Sequence, residues 1–251
     1  MAQTFGPDNY TVLDLEMTGL SAKTDKVIEI GAVRFRNHVP EEQYATLVNP
    51  HMPIPKEVTA LTGITDEMAA QQGMEADMAL QALLDFIGND VIVGQNILFD
   101  YAFLKQWAVN KKRPLELAAC DTLKIARILL PKLESRSLES LCIYYQIRRD
   151  NAHRAPDDAM ETGLLFERLK SECAGQIEGG TLAPEVGEAL FAPKQLQYRA
   201  KRQTPVTPHQ IRQLKEYRRA HQITDEIHWE TLTRNEASRI MDRYYERYGR
   251  N

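Results

Sequence analysis

The chain has 251 residues, 43% apolar and 26% charged, with a formal net charge of −4, the ordinary balance of a folded protein that works in water. No apolar run approaches the roughly 18 residues of a membrane span, so none is expected. The opening MAQTFGPDNY has no basic stretch leading into an apolar core, which points to a cytoplasmic location, and Cys120, Cys142 and Cys173 are too few and too dispersed for a disulfide framework or a paired-cysteine zinc site.

Tyr10 to Glu16 (YTVLDLE) alternates with the period of a strand, placing Val12, Asp14 and Glu16 on one face and Thr11, Leu13 and Leu15 on the other. Thr18-Gly19-Leu20 breaks the run. Val27 to Arg36 and Tyr44 to Val48 read as two further strands, so a three-strand meander is expected. Helical spacing follows over Pro55 to Leu61 and Asp77 to Ile87, and Val91-Ile92-Val93, ending at Gly94, reads as a short buried strand. Phe99 to Val109 is expected as an amphipathic helix and Ala118 to Thr122 as a short strand. Lys124 to Leu130, Ser137 to Tyr145 and Asp157 to Lys170 complete the order βββαβαβα with small extra helices, an α/β domain over residues 1–174.

Residues 175–193 combine Gly-Gly, two prolines and acidic residues without periodicity and read as a linker. Residues 194–251 are expected as a small helical appendage. One helix runs from about Pro208 to His221, and a second, over Ala237 to Tyr248, follows the capping-box pair Thr233 and Glu236. Charge divides at the same place: residues 1–193 hold 18 Lys+Arg against 28 Asp+Glu, a net −10, and residues 194–251 hold 13 against 7, a net +6. An acidic body with a basic tail points to carboxylates serving a site in the body and cations meeting an anionic partner, or to a solvated helical tail.

Asp14 and Glu16 share one face of a mostly apolar strand, where uncompensated charge is costly. Two carboxylates about 4 Å apart repel by around 4 kcal/mol at an effective dielectric near 20, which a bound cation or a raised pKa relieves. Taken alone, the pair also fits an edge strand with both groups in water. Asp100, in GQNILFDYAFL, and Asp158, in HRAPDD, each have a second reading as acidic partners of a helix N-terminus, and His153 has one as a solvated loop residue.

In order, these segments resemble the DEDD-type exonuclease superfamily, in the subgroup whose last motif is His, four residues, Asp. The resemblance spans residues 10 to about 170: DLEMTGL supplies Asp14 and Glu16, GQNILFD supplies Asp100, and HRAPDD supplies His153 and Asp158. TLVNP, LTGIT, CDTLKIAR and SLESLC are similar to the intervening segments of proofreading exonucleases such as the DNA polymerase III epsilon subunit. In two places the chain departs from the pattern. Gln95 stands where the family has histidine, and Met17 is the form associated with oligoribonucleases.

The resemblance implies an RNase H-like mixed sheet and 3′-to-5′ removal of nucleoside 5′-monophosphates from single-stranded DNA ends, in proofreading or repair. It implies two Mg²⁺ or Mn²⁺ held by Asp14, Glu16, Asp100 and Asp158, hard oxygen donors suited to such ions, with His153 as general base. Met17, Thr18 and Leu20 would meet the terminal sugar and base, beside Asn96 of the second motif. Leu61 and Phe99 would join Leu20 in packing on unstacked bases, and ordinary core packing explains these three apolar residues equally well. Two alternatives stay open: an RNA exonuclease of the oligoribonuclease kind, and a non-catalytic adaptor on a polymerase. The tail is similar to a short helical module appended to various nucleic-acid enzymes, and polynucleotide, a polymerase or another replication or repair protein are its candidate partners.

Overall fold

The computed structural model describes residues 5–149, 152–225, 227, 229 and 232–250. Three strands, β1 (Tyr10–Met17), β2 (Val27–Arg36) and β3 (Val39–Asn49), form the expected antiparallel meander. The third is longer than its apolar alternation predicts, because Pro40 to Gln43 pair with β2 while exposed, so polar side chains satisfy them. Asn37 and His38 make the intervening turn with φ of 48° and 70°, the left-handed geometry that suits a tight hairpin.

After the meander come α1 (Lys56–Thr62), α2 (Asp66–Gln72), β4 (Met74–Glu75), α3 (Ala76–Ile87), β5 (Ile92–Gly94), α4 (Leu98–Asn110), β6 (Ala118–Asp121), α5 (Thr122–Leu129), α6 (Leu138–Tyr144) and α7 (Ala155–Glu178). Among the described residues the sheet has seven strands in the order β4-β3-β2-β1-β5-β6-β7, the last being β7 (Lys194–Gln195), with β5 parallel to β1 and β6 parallel to β5. β1 is therefore central, and its two faces feed different cores. Leu13 and Leu15 pack with α3 and α4, while Val12 packs with Phe35, Phe166 and Leu169 beneath α7. Asp14 and Glu16 follow Val12 on the α7 face. The edge-strand alternative, with both groups in water, does not hold.

The structure corrects the expected linker. Residues 175–193 contain the end of α7 and a further helix, α8 (Pro184–Phe191), and Lys194–Gln195 then adds β7 antiparallel to β6. Phe191 is fully buried against Phe5 and Phe166. The glycines end α7, with Gly180 at φ 69°, and Pro184 occupies the first turn of α8, where its missing N–H costs nothing. These residues punctuate two helices rather than loosen the chain. The C-terminal helices α9 (Pro208–Ala220) and α10 (Arg234–Tyr248) share a small core of Leu214, Tyr217, Leu232, Ala237 and Tyr244, and each opens on a capping box, Thr207 with Gln210 and Thr233 with Glu236.

Among the described residues no helix is long and apolar enough to cross a membrane. Cys120, Cys142 and Cys173 are buried free thiols, and burial raises the pKa of all three.

Candidate active site

The first two acidic groups come from a single strand face, and register decides what stands beside them. Glu16 pairs across the ladder with Glu29 on β2, at a point where β1 bulges between Glu16 and Met17. Glu29 is buried and takes Arg154 as a two-pronged partner, Nε donating at 3.0 and 3.1 Å and a terminal nitrogen at 2.5 Å. It also accepts the Ala155 amide at 2.9 Å. A carboxylate opposite Glu16 thus holds the turn that carries His153.

The approach of α7 depends on Gly31, two residues along the same strand from Glu29. A Cβ there would lie 2.1 Å from the Ala155 carbonyl carbon and oxygen. With no side chain at Gly31, the first turn of α7 sits directly on the sheet, leaving His153 exposed, at φ 63°, and Asp158 buried one turn along the helix. Ligand atoms of Glu16, His153 and Asp158 all lie within 4.8 Å of one another. Asp158 donates no helix cap. One of its oxygens pairs with Arg149, whose Nε donates to Glu161 at 2.5 Å, and both acids are buried.

Asp100 is delivered from the other side, in the first turn of α4. Its Oδ1 accepts the Leu15 amide of β1 at 3.0 Å, so it ties helix to strand, and its carboxylate also meets its own backbone N–H in the first turn. The turn before α4 is set by Asp121, whose Oδ1 accepts the Asn96 amide at 3.2 Å and the Leu123 amide at 3.1 Å, holding Asn96 at φ 59°.

The charges of these groups act on one another. Burial raises the Asp14 carboxyl well above its ordinary range, and the charges of Asp100, Asp158, Glu16 and Glu29 raise it further. Burial, then Asp158 and Glu29, push Glu16 up to about 7 against the opposing charge of Arg154. Asp100 rises to about 8, again chiefly through burial, with Glu16 and Asp121 adding to it and two backbone N–H groups opposing it. Ionised carboxylates packed this closely repel one another, and a divalent cation coordinated by oxygen relieves the repulsion. The Glu16, Asp158 and His153 donors, with the Asp14 and Asp100 carboxyls whose charges act on this cluster, fit hard cations such as Mg²⁺ or Mn²⁺.

Residues 11–166 match the RNase T family, described as Exonuclease. The chain belongs to this exonuclease family. The chain is similar to the DNA polymerase III PolC-type protein of Clostridium perfringens (strain 13 / Type A), 37% identical over 169 residues that make up 66% of this chain and 12% of that protein. In fold it is similar to Exonuclease I of E. coli solved with a dT13 oligonucleotide, with a TM-score of 0.59 and 19% identity over 68% of this chain and 43% of that one. It is also similar to Exonuclease X solved with 5′ overhanging duplex DNA, with a TM-score of 0.52 and 21% identity over 72% of this chain and 99% of that one. The expected RNase H-like mixed sheet is the fold these structures share.

The structure brings the ligand atoms of Glu16, His153 and Asp158 together, with Asp14 near enough to feel the charges of Glu16, Asp100 and Asp158, and treats the expected substrate residues unequally. Leu20 is 85% exposed and Leu61 54% exposed, both free to meet a ligand, while Phe99 is half-buried against Phe103. Asn96 is exposed on its turn. Met17 lies in the core and Thr18 is buried, its hydroxyl accepting the Lys26 amide at 2.9 Å, so both side chains hold the loop. Gln95 donates to the Arg136 carbonyl at 2.8 Å and accepts from the Thr122 hydroxyl at 2.5 Å, which commits it to joining β5 to the loop after α5.

Glu29, Arg154, Arg149, Glu161 and Asp121 escape a reading by motif. Glu29 could have been found, since a lone acid inside the apolar strand VIEIGAV needs a partner, and the arginine of HRAPDD is the cation that meets it.

Proposed function

We propose that the protein is a 3′-to-5′ exonuclease that releases nucleoside 5′-monophosphates from single-stranded DNA ends, in proofreading or repair, in the cytoplasm. The convergence of Asp14, Glu16, Asp100 and Asp158 with His153 carries this reading. These four carboxylates would hold two Mg²⁺ or Mn²⁺, which when bound supply Lewis-acid stabilisation of charge on the phosphate and on the departing oxygen. His153 takes the proton of the attacking water, as an exposed imidazole next to Glu16 and Asp158 can do. The Glu29–Arg154 clamp and the Ala155 amide orient the turn that presents it. Leu20, on the loop braced by Thr18 and Lys26, packs on the terminal base with Leu61 and Phe99, and Asn96 lines the approach.

A preference for DNA over RNA is supported by the burial of Met17, the residue that resembles oligoribonucleases, whose side chain packs in the core. The PolC-type relatives are DNA polymerases by name, which supports the same preference and a replication partner. The test uses end-labelled single-stranded DNA and RNA of one sequence, with Mg²⁺, Mn²⁺ or chelator. Stepwise shortening of DNA from its 3′ end is expected, stopped by chelator and by Asp14→Ala. Faster loss from RNA overturns the substrate assignment. Absence of hydrolysis on both favours the adaptor reading.

A further inference from the structure

The body presents an acidic site to a polyanionic substrate, and its net charge of −10 works against approach. The cations that compensate lie outside it. Arg199, Lys201 and Arg202, in the segment joining β7 to α9, are exposed, and so are Arg212, Lys215 and Arg219 of α9. The last three recur at helical spacing on the stripe opposite the buried Leu214 and Tyr217, in steps of about 4.5 and 6 Å along the axis, with one acidic residue, Glu216, among them.

This basic segment is anchored beside the site. Gln106 of α4 donates to the Lys201 carbonyl at 2.8 Å, and Gln203 exchanges hydrogen bonds with Asn110 at 2.8 and 3.0 Å. The Gln203 side chain also donates to the carbonyl of Lys23, an exposed residue in the loop that follows Glu16. Lys26, in the same loop, bonds Thr18 through its backbone and pairs with Glu236 at the start of α10. One short loop therefore carries Leu20 and seats the basic module, so the backbone at Lys23 lies against the segment that carries Lys201 and Arg202.

We propose that residues 199–219 form, with this loop, a track for the sugar-phosphate backbone of the strand being degraded, Lys23, Lys201, Arg202, Arg212, Lys215 and Arg219 supplying its cations. The inference rests on the exonuclease reading above and adds how the substrate is held behind its 3′ end. Contacts of this kind are made to phosphate and do not read sequence.

The experiment uses the full chain carrying Lys201→Ser, Arg202→Ser, Arg212→Ser, Lys215→Ser and Arg219→Ser, all at exposed positions, with thermal melting to verify its fold. Hydrolysis of 5-nucleotide and 30-nucleotide single strands, as DNA and as RNA, is compared with the wild type. In an Asp14→Asn background, binding of the 30-mer is followed against salt. Each lost phosphate contact should lower the slope of log affinity against log salt by about 0.7, and the KM for the 30-mer should rise roughly tenfold while that for the 5-mer rises less than about twofold. An unchanged slope, or equal effects at both lengths, overturns the track and leaves the surface to a protein partner or to solvent. Salt-dependent binding through these cations without hydrolysis of either strand would defeat the exonuclease reading and leave the track standing. Hydrolysis of both lengths with an unchanged slope would defeat the track alone.

Discussion

Glu29 is the residue on which the geometry of the site turns, although it belongs to none of the motifs that reveal the family. A buried acid on β2, it accepts from the guanidinium of Arg154 and the amide of Ala155, and so holds the turn in which His153 precedes them. Lysine keeps the charge of arginine but not its planar fork. Arg154→Lys should therefore lower kcat by on the order of 10- to 100-fold through misplacement of the imidazole, with the KM for oligonucleotide within about twofold. Steady-state kinetics check this, and a KM effect without a kcat effect would assign Arg154 to substrate binding.

The raised carboxyls make a second prediction at this scale. A carboxyl whose pKa is higher folded than unfolded favours the fold while protonated, and that contribution is lost as pH rises through the folded value. For Glu16 the loss runs from its ordinary value of 4.5 to about 7, and for Asp100 from 3.8 to about 8. The metal-free protein should thus lose thermal stability between pH 5 and 8, and Mn²⁺ should raise the melting temperature more at pH 8 than at pH 6, where protons compete with it. Glu16→Gln should melt higher than wild type at pH 8 without metal while losing activity. Equal Mn²⁺ effects at the two pH values would count against cation binding by these groups.

Among the elements, α7 does most to assemble the site, and its fit to the sheet is written in small residues. Gly31 admits its first turn and Gly163 lets its middle pass Phe35 and Val12, where a Cβ would come within 2.3 Å of the Phe35 ring. Gly31→Ala should push the helix off the strand, costing about 1–3 kcal/mol in denaturant melts and lowering kcat at the same time. A variant that loses stability but keeps full kcat would mean that the contact serves packing alone.

Long elements with strong periodicity were legible in the sequence: β2 spans the expected Val27 to Arg36, and α4 and α9 end within one residue of expectation. Pieces held by tertiary contact were not. α8 carries two small residues and a proline that read as linker, and only the pocket around Phe5 and Phe166 explains why Phe191 is inside. β4 and β7 are two residues each, too short to show a period.

At the scale of the whole molecule, the carboxylates come from three places far apart in the chain, and the sheet order brings them together. β1 is central, α4 crosses to it after β5, and α7 returns across β1 and β2. The motifs named the five groups, because their chemistry demands those residue types. They did not name Glu29, Arg149 or Asp121, because the partners of these residues are set by strand register and helix approach, which no local pattern records. Charge is divided on the same scale, an acidic body around the site and a basic module seated on the loop beside it.

Direct binding of Mn²⁺, followed by electron paramagnetic resonance as free ion disappears on titration into the metal-free protein at pH 8, addresses the convergence itself. Two ions per chain are expected for the wild type, with at least one lost in Asp14→Asn and in Asp158→Asn. Absence of saturable binding, or binding indifferent to both substitutions, would contradict the account.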